Sequence, residues 1–403
     1  MDKNTIRSTV LRKLKKNNGI LPLRPAWVSR DFMPPGKRLG LTEQEYDAGA
    51  SGYICERWLA SETRVDNLVK IENEGLSYLD IEGEDILLID ALEICKEEIL
   101  GNKYAKTHDS LGRLLKIYDF GTRIFYHLHQ NDEDALKVGM NSKEEAYHFL
   151  DKPLGPHPET FFGVHPSIVR ENKQKEIFLP YLEKWEGEEI LKYSKAYMNI
   201  PGEGFHLPAG LLHAPGTALT LELQESSDVM AVLQAEIEGL KIGKDLLHHH
   251  IPEEAWKKGS EAAALDLVDW EGNADPYFYE NHHLSPQMVE ETRTDGAWEE
   301  WVWYNTVKFS GKRVTVKPGE SFFNKELGVH GIFMWRGKGT VAGFMLEGQN
   351  VSLQESHDEL LITADKAETG YTIENTGDEN IVLYKYFGPD INVDNIPWIK
   401  QYK

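Results

Sequence analysis

Gly202-Glu203-Gly204-Phe205-His206-Leu207-Pro208-Ala209-Gly210-Leu211-Leu212-His213 is the stretch on which the reading of this chain turns. Its residue order describes a short strand, a tight turn at Pro208-Ala209-Gly210, and a return strand that carries His213 into a barrel. Upstream, Gly121 is followed after five residues by His127-Leu128-His129. Residues two apart on a strand share a face, so both imidazoles can reach one ion. Neutral imidazoles plus a carboxylate make a site for Zn above all, with Mn, Fe, Ni or Co as alternatives, and leave positions open for substrate. Three histidines satisfied by ordinary hydrogen bonds are the plainer account, and the motif spacing argues against it.

Two carboxylates compete to complete the set. Glu133 lies four residues beyond His129, and Glu145 lies further on in Lys143-Glu144-Glu145-Ala146-Tyr147-His148. The pattern from Gly202 to His213 resembles the second motif of the cupins, although that motif's later Asn is absent. Local spacing alone favours Glu133, which sits at the ordinary cupin offset.

A second resemblance reverses that choice. LLKIYDFGTRIFYHLHQNDEDALK followed by KEEAYHFLD looks like the core of the type I phosphomannose isomerases. In that register Lys116 and Asp119 match a Lys and an Asp that the family carries on a helix. His127 replaces a Gln, His129 is the family's His, and Glu145 is its ligand Glu. Cys55-Glu56-Arg57-Trp58-Leu59-Ala60-Ser61 resembles the family's Gly-Glu-x-Trp-x-x-Ser strand. Glu222, Gln224, Ser227 and Asp228 match its E-x-Q-x-x-S-D run. The resemblance spans roughly residues 52–228. It implies a metal held by His127, His129, Glu145 and His213, with Lys143 and Glu56 as catalytic candidates. Trp58, Lys116 and His206 are expected to line the substrate pocket.

The activity implied is interconversion of an aldose and a ketose through a cis-enediol, which needs an acid/base tuned towards neutrality. Lys143 is preferred for that part because it matches the family's Lys two residues before the ligand Glu. The substrate is then a sugar or a sugar phosphate. The family's Arg after the Ser-Asp pair is missing, because Asp228 is followed by Val229-Met230-Ala231-Val232 and no Arg occurs between Arg170 and Arg293. A phosphate is best held by Arg forks, Lys or backbone N–H groups, so an unphosphorylated sugar or polyol fits the remaining groups better. Dioxygen chemistry on the same ligands and a non-catalytic sugar-binding or regulatory role are the competing functions.

Texture sets the expected architecture. The chain is 403 residues long, 40% hydrophobic and 27% charged, as ordinary globular proteins are. Segments 85–100, 111–118 and 171–200 have apolar spacing compatible with helices, and 122–128 reads as a strand. From residue 197, short β-rich runs are broken by Gly and Pro, and WVWYNTVKF to NIVLYKYFG form a second series. The expectation is a mainly β protein of two cupin jelly-roll lobes with helical insertions in the first half. The units are 1–235 with the metal site, a linker at 236–265, and 266–403 without metal. His248-His249-His250 reads as linker surface, since consecutive residues do not share one face of a helix or strand.

Bulk properties exclude some partners. A formal net charge of −22 argues against nucleic acid, which needs a basic surface. No apolar run reaches the roughly 18 residues of a membrane span. The charged start Met1–Asn18 lacks a secretory apolar region and reads as a solvated helix face. Cys55 and Cys95 are too few for a disulfide scaffold, which points to the cytoplasm. The expected partner is a small carbohydrate, and a homodimer stays open.

Overall fold

The computed structural model describes residues 1–151, 153–259 and 261–403. Position 152, within the expected first unit, and position 260, within the expected linker, lie outside the described residues. The site is carried by β1 (Ala26–Arg30), β2 (Tyr53–Leu59), β3 (Arg113–Tyr118), β4 (His127–Leu128), β5 (Glu145–Phe149), β6 (Gly204–Leu207), β7 (His213–Ala214) and β8 (Thr220–Glu225).

The protein is mainly β, and every strand pairing among the described residues is antiparallel. One sheet runs His283–Leu284, β6, β5, β8, β3, β2, β1; another runs Ala231–Val232, β4, β7, Glu159–Phe162, Lys195–Met198. They meet across an apolar core in which Tyr118, Tyr147, Phe149 and Phe205 pack with Phe125, Phe162 and Val232. Alternation along β5 divides its work. Tyr147 and Phe149 join that core, whereas Ala146 belongs to a second core shared with Trp303 and Tyr384 of the C-terminal half.

A third sheet contains Ala297–Trp303, Ser310–Val316, Ile381–Phe387, His330–Arg336 and Glu359–Ile362, and it also takes in Ile20–Arg24 from the beginning of the chain. Ile20 pairs with Ile362 and Leu21 with Leu361. Arg57 of β2 reaches across with both terminal nitrogens to Asp358, at 2.8 and 2.7 Å. The two halves are therefore joined by a shared core, a shared sheet and a buried ion pair.

Local expectations were met unevenly. The basic start forms a helix, Lys3–Lys16, capped by Asp2, with Lys3, Lys15 and Lys16 exposed. Residues 111–118 form a strand, not a helix: β3 pairs with β2 on one side and β8 on the other, and all six of its residues are buried. Buried on both faces, it carries Leu114, Leu115, Ile117 and Tyr118 without alternation and so mimics a helical face over a short window. Lys116 and Asp119 thus sit on and just beyond a strand. Only Gln174–Lys184 of the expected 171–200 helix is α-helical, and Lys195–Met198 pairs with Glu159–Phe162. Of the expected 122–128 strand, only His127–Leu128 pairs. The 236–265 segment carries helices whose Leu247, Ala264 and Leu265, with Ile251 between two of them, enter a core with Phe178 and Leu182.

Candidate metal centre

Three backbone carbonyls fix the chemistry of the histidines. His127 Nδ1–H donates to the carbonyl of Phe125 at 2.6 Å, His129 Nδ1–H to Val229 at 2.7 Å, and His213 Nδ1–H to Leu211 at 2.9 Å. With the proton committed to Nδ1, each ring turns a lone pair at Nε2 to the same point. The three rings lie with ligand atoms within 4.8 Å of one another, and all are buried. Cross-strand pairing explains the approach: His213 of β7 is the direct partner of His127 of β4.

Glu145 brings a carboxylate close to these rings from the opposing sheet. Its Oε1 lies 3.1 Å from His213 Nε2 and its Oε2 lies 3.2 Å from His129 Nε2. Tyr147, two residues along the same face, donates to Glu145 Oε1 at 2.6 Å. Burial and mutual repulsion push His127 well below the usual imidazole range, and burial with the Lys143 ammonium takes His129 down to about 3. Burial alone would raise Glu145, but Lys143 and the histidines hold it well below the usual carboxylate range. Neutral imidazoles and an ionised carboxylate are the forms that bind a metal. His213 Nε2 is buried without a hydrogen-bond partner, as a ligand atom facing a cation site would be. The set therefore fits one divalent metal ion.

A narrow cavity of about 50 Å³ opens beside this group. Arg30, Glu56, Lys116, Lys143, Glu222 and Asp228 line it, together with apolar residues that include Phe32, Phe120, Ile124, Met230 and Val232. Lys143 Nζ lies 3.0 Å from His129 Nε2, 3.2 Å from Glu145 and 3.5 Å from Glu222. Lys116 lies 3.0 Å from Glu222 and 3.6 Å from Glu56. Burial and the negative charge of Glu145 push the Glu222 carboxyl up to about 7. Burial would raise Glu56 as well, yet Arg30 and Lys116 bring it down to about 2. A larger cleft of about 790 Å³ lies elsewhere, lined by Glu62, Asp109, Asp132 and Glu225, and shares no residue with this cavity.

Other sequence candidates fall outside the cavity. His206 is the cross-strand partner of Ala146, so it shares the β5 face directed at the C-terminal half. It bonds Glu144 at 2.8 Å and contacts Asn305 at 3.3 Å. Trp58 is fully buried behind the wall and donates its indole N–H to Glu56 Oε2 at 2.8 Å. Glu133 stands on the Asp132–Leu136 helix with 85% of its side chain exposed, paired with Lys137. His148 contacts the Tyr384 hydroxyl at 3.1 Å.

The triple histidine is not simply surface. His249 and His250 follow the short Asp245–His248 helix, where neither helical nor strand periodicity applies, and both approach Asp66. His250 is buried; it accepts the Met230 N–H at Nδ1 and donates from Nε2 to Asp66 at 2.9 Å. Those two bonds account for both ring nitrogens.

Arg30 is the cavity residue that motif reasoning missed. It sits on β1, far from every His and Glu motif, and arrives only because β1 closes the sheet beside β2. Its Nε donates to Glu56 at 2.7 Å and its terminal nitrogens reach Asp228 at 3.2 and 3.3 Å. One signal was available: an Asp in the Ser227-Asp228 pair with no Arg before Arg293 required a counter-charge from elsewhere.

No protein-family model and no curated protein sequence matches the chain. Solved structures do. The mannose 6-phosphate isomerase of Bacillus subtilis superposes with a TM-score of 0.61 at 16% identity, covering 91% of this chain and 99% of that one. A zinc-bound mannose 6-phosphate isomerase gives 0.60 at 12% identity over 92% of this chain and 100% of that one. A variant of the phosphomannose isomerase of Salmonella typhimurium gives 0.61 at 13% identity, with 92% and 100% covered. Near-complete coverage in both directions, with the His and Glu donors gathered between two sheets, gives this chain the fold of the mannose 6-phosphate isomerases.

Proposed function

We propose that the protein is a metal-dependent aldose–ketose isomerase built from two jelly-roll lobes, with its centre in the first. The observation that carries this is the convergence of His127, His129, His213 and Glu145 beside a cavity lined by both cations and carboxylates. These four residues would hold the metal, Zn being the ion bound in one structural neighbour. When bound, a divalent ion polarises a carbonyl and offsets charge developing on oxygen.

The chain's own residues supply the rest. Isomerisation moves one proton between adjacent carbons and another between their oxygens. Glu222, poised near 7, is suited to the carbon proton, and the Lys143 ammonium 3.5 Å away is suited to donate at oxygen. Glu56, held at about 2, is a poor base; its part is to anchor Arg30 and Lys116. Tyr147 fixes the Glu145 carboxylate, and Trp58 fixes that of Glu56. The apolar wall keeps water from the enediol.

The test is to incubate the zinc-loaded protein in D2O with a panel of aldoses, ketoses and their phosphates. Deuterium at C2, lost by at least about 100-fold in the Glu222→Gln variant, is the expected result. Oxygen consumption with Fe and no exchange on any sugar would instead establish the dioxygenase reading. Sugar binding without exchange or oxygen uptake would establish a sensor.

A further inference from the structure

We infer that this cavity selects an uncharged sugar over its phosphate ester, because its cations are already committed to buried carboxylates. The inference rests on reading the cavity as the substrate site. Finding Arg30 there at first reopens the case for phosphate, since a guanidinium fork is the best phosphate holder a protein has. Its geometry closes that case. Nε is spent on Glu56, one terminal nitrogen on Asn67 at 2.8 Å and Asp228, and the other on the second oxygen of Asp228. The side chain is 5% exposed, so it cannot turn outward to meet an anion without leaving two carboxylates bare.

The same holds around the cavity. Lys116 is bracketed by Glu222 and Glu56, and Lys143 by Glu145 and Glu222. In the lining, Arg30, Lys116 and Lys143 face Glu56, Glu222 and Asp228, and Glu145 of the metal set, 3.2 Å from Lys143, adds a fourth carboxylate to the three cations. The balance is one negative charge. A divalent metal would bring it to plus one, enough for the single charge of an enediolate. A phosphate dianion would need that whole surplus for a group that takes no part in the reaction. Phe32, Phe120, Ile124 and Met230 also line the cavity and offer carbon rather than donors, which suits the C–H face of a sugar. Hydroxyls, in contrast, can share the locked ion pairs as both donors and acceptors.

The experiment is equilibrium binding to the zinc-loaded full chain by calorimetry. Free hexoses, including mannose and fructose, are compared with their 6-phosphates, and inorganic phosphate serves as the anion probe. At least one free sugar should bind about tenfold or more tightly than its own 6-phosphate, with no competition from inorganic phosphate. Asp228→Asn releases half of Arg30, and should strengthen competition by inorganic phosphate about tenfold. If that variant does not fold, Glu222→Gln, which frees Lys116, makes the same test. A 6-phosphate that binds as tightly as its free sugar, or phosphate competition already strong in the unaltered chain, overturns the inference. Selective binding without deuterium exchange keeps it and removes only the isomerase reading.

Discussion

An imidazole can present a lone pair to a cation only when its other nitrogen holds the proton, and here each of three rings gives that proton to a backbone carbonyl. The donors are therefore organised before any ion arrives, and removing one should cost affinity directly. His129→Ala and His213→Ala are each expected to weaken Zn binding by roughly 100-fold or more, beyond the usual cost of losing an outer partner. Glu145→Gln should follow them, while Glu133→Gln, on its exposed helix, should stay within about twofold of the parent. Competition against a chromophoric chelator measures all four. Equal losses for Glu133→Gln and Glu145→Gln would remove the carboxylate from Glu145. Histidine spacing and the two competing carboxylates were visible in the sequence because ligands of one site recur at strand and turn intervals. Arg30 was not, since nothing local to AWVSR distinguishes a cavity-lining strand from any other.

Elements decide which face each residue shows, and there the sequence was less legible. His206 and Glu145 lie on paired strands, but His206 is opposite Ala146, so a one-position offset turns it away from the cavity. The register follows from contacts no motif records. Gly204, at the start of β6, sits so close to β5 that a Cβ there would lie 1.8 Å from the Tyr147 carbonyl oxygen. Gly204→Ala should force these strands apart, displacing Glu145 and Tyr147 together. We expect destabilisation on the order of 3 kcal/mol by urea unfolding, with metal affinity lost in parallel. Gly239→Ala is the control. Gly239 has φ of +80° with nothing within 4 Å of a new Cβ, so only backbone strain on the order of 1 kcal/mol applies. Equal effects at the two positions would mean that close approach of β6 to β5 does not set the register.

At the scale of the whole molecule, the second series of strands was readable from alternating β-branched and aromatic residues between turns. The return of Ile20–Arg24 to that sheet was not, because pairing across some 340 residues leaves no local trace. Nor was the charge buried inside the C-terminal half, where Lys385 and Lys312 pair with Glu299 and Glu326. That cluster, with the Arg30–Glu56 pair, gives the fold a definite response to acid. Burial takes His330 down to about 4, so it is neutral in the fold while the unfolded chain begins to bind a proton below about 6.5. Burial would raise Glu326, but Lys385 and Lys312 bring it to about 2, as Arg30 and Lys116 do for Glu56. A depressed carboxylate contributes its full stability above the unfolded value near 4.5 and loses it as pH falls towards 2. Glu359 works the other way: burial raises it to about 7, so its share of stability grows as pH falls from 7 to 4.5 and partly offsets the histidine loss. Metal-free protein should therefore change little in urea midpoint between pH 7 and 5, then lose stability steeply below about 4.5. Glu326 and Glu56 would each account for something on the order of 3 kcal/mol across that lower window. Glu326→Gln should lower stability at pH 7, where Lys385 loses a charged partner, and flatten the profile between about 4.5 and 2. A profile as steep in the variant as in the parent would show that the acid response lies outside this buried cluster.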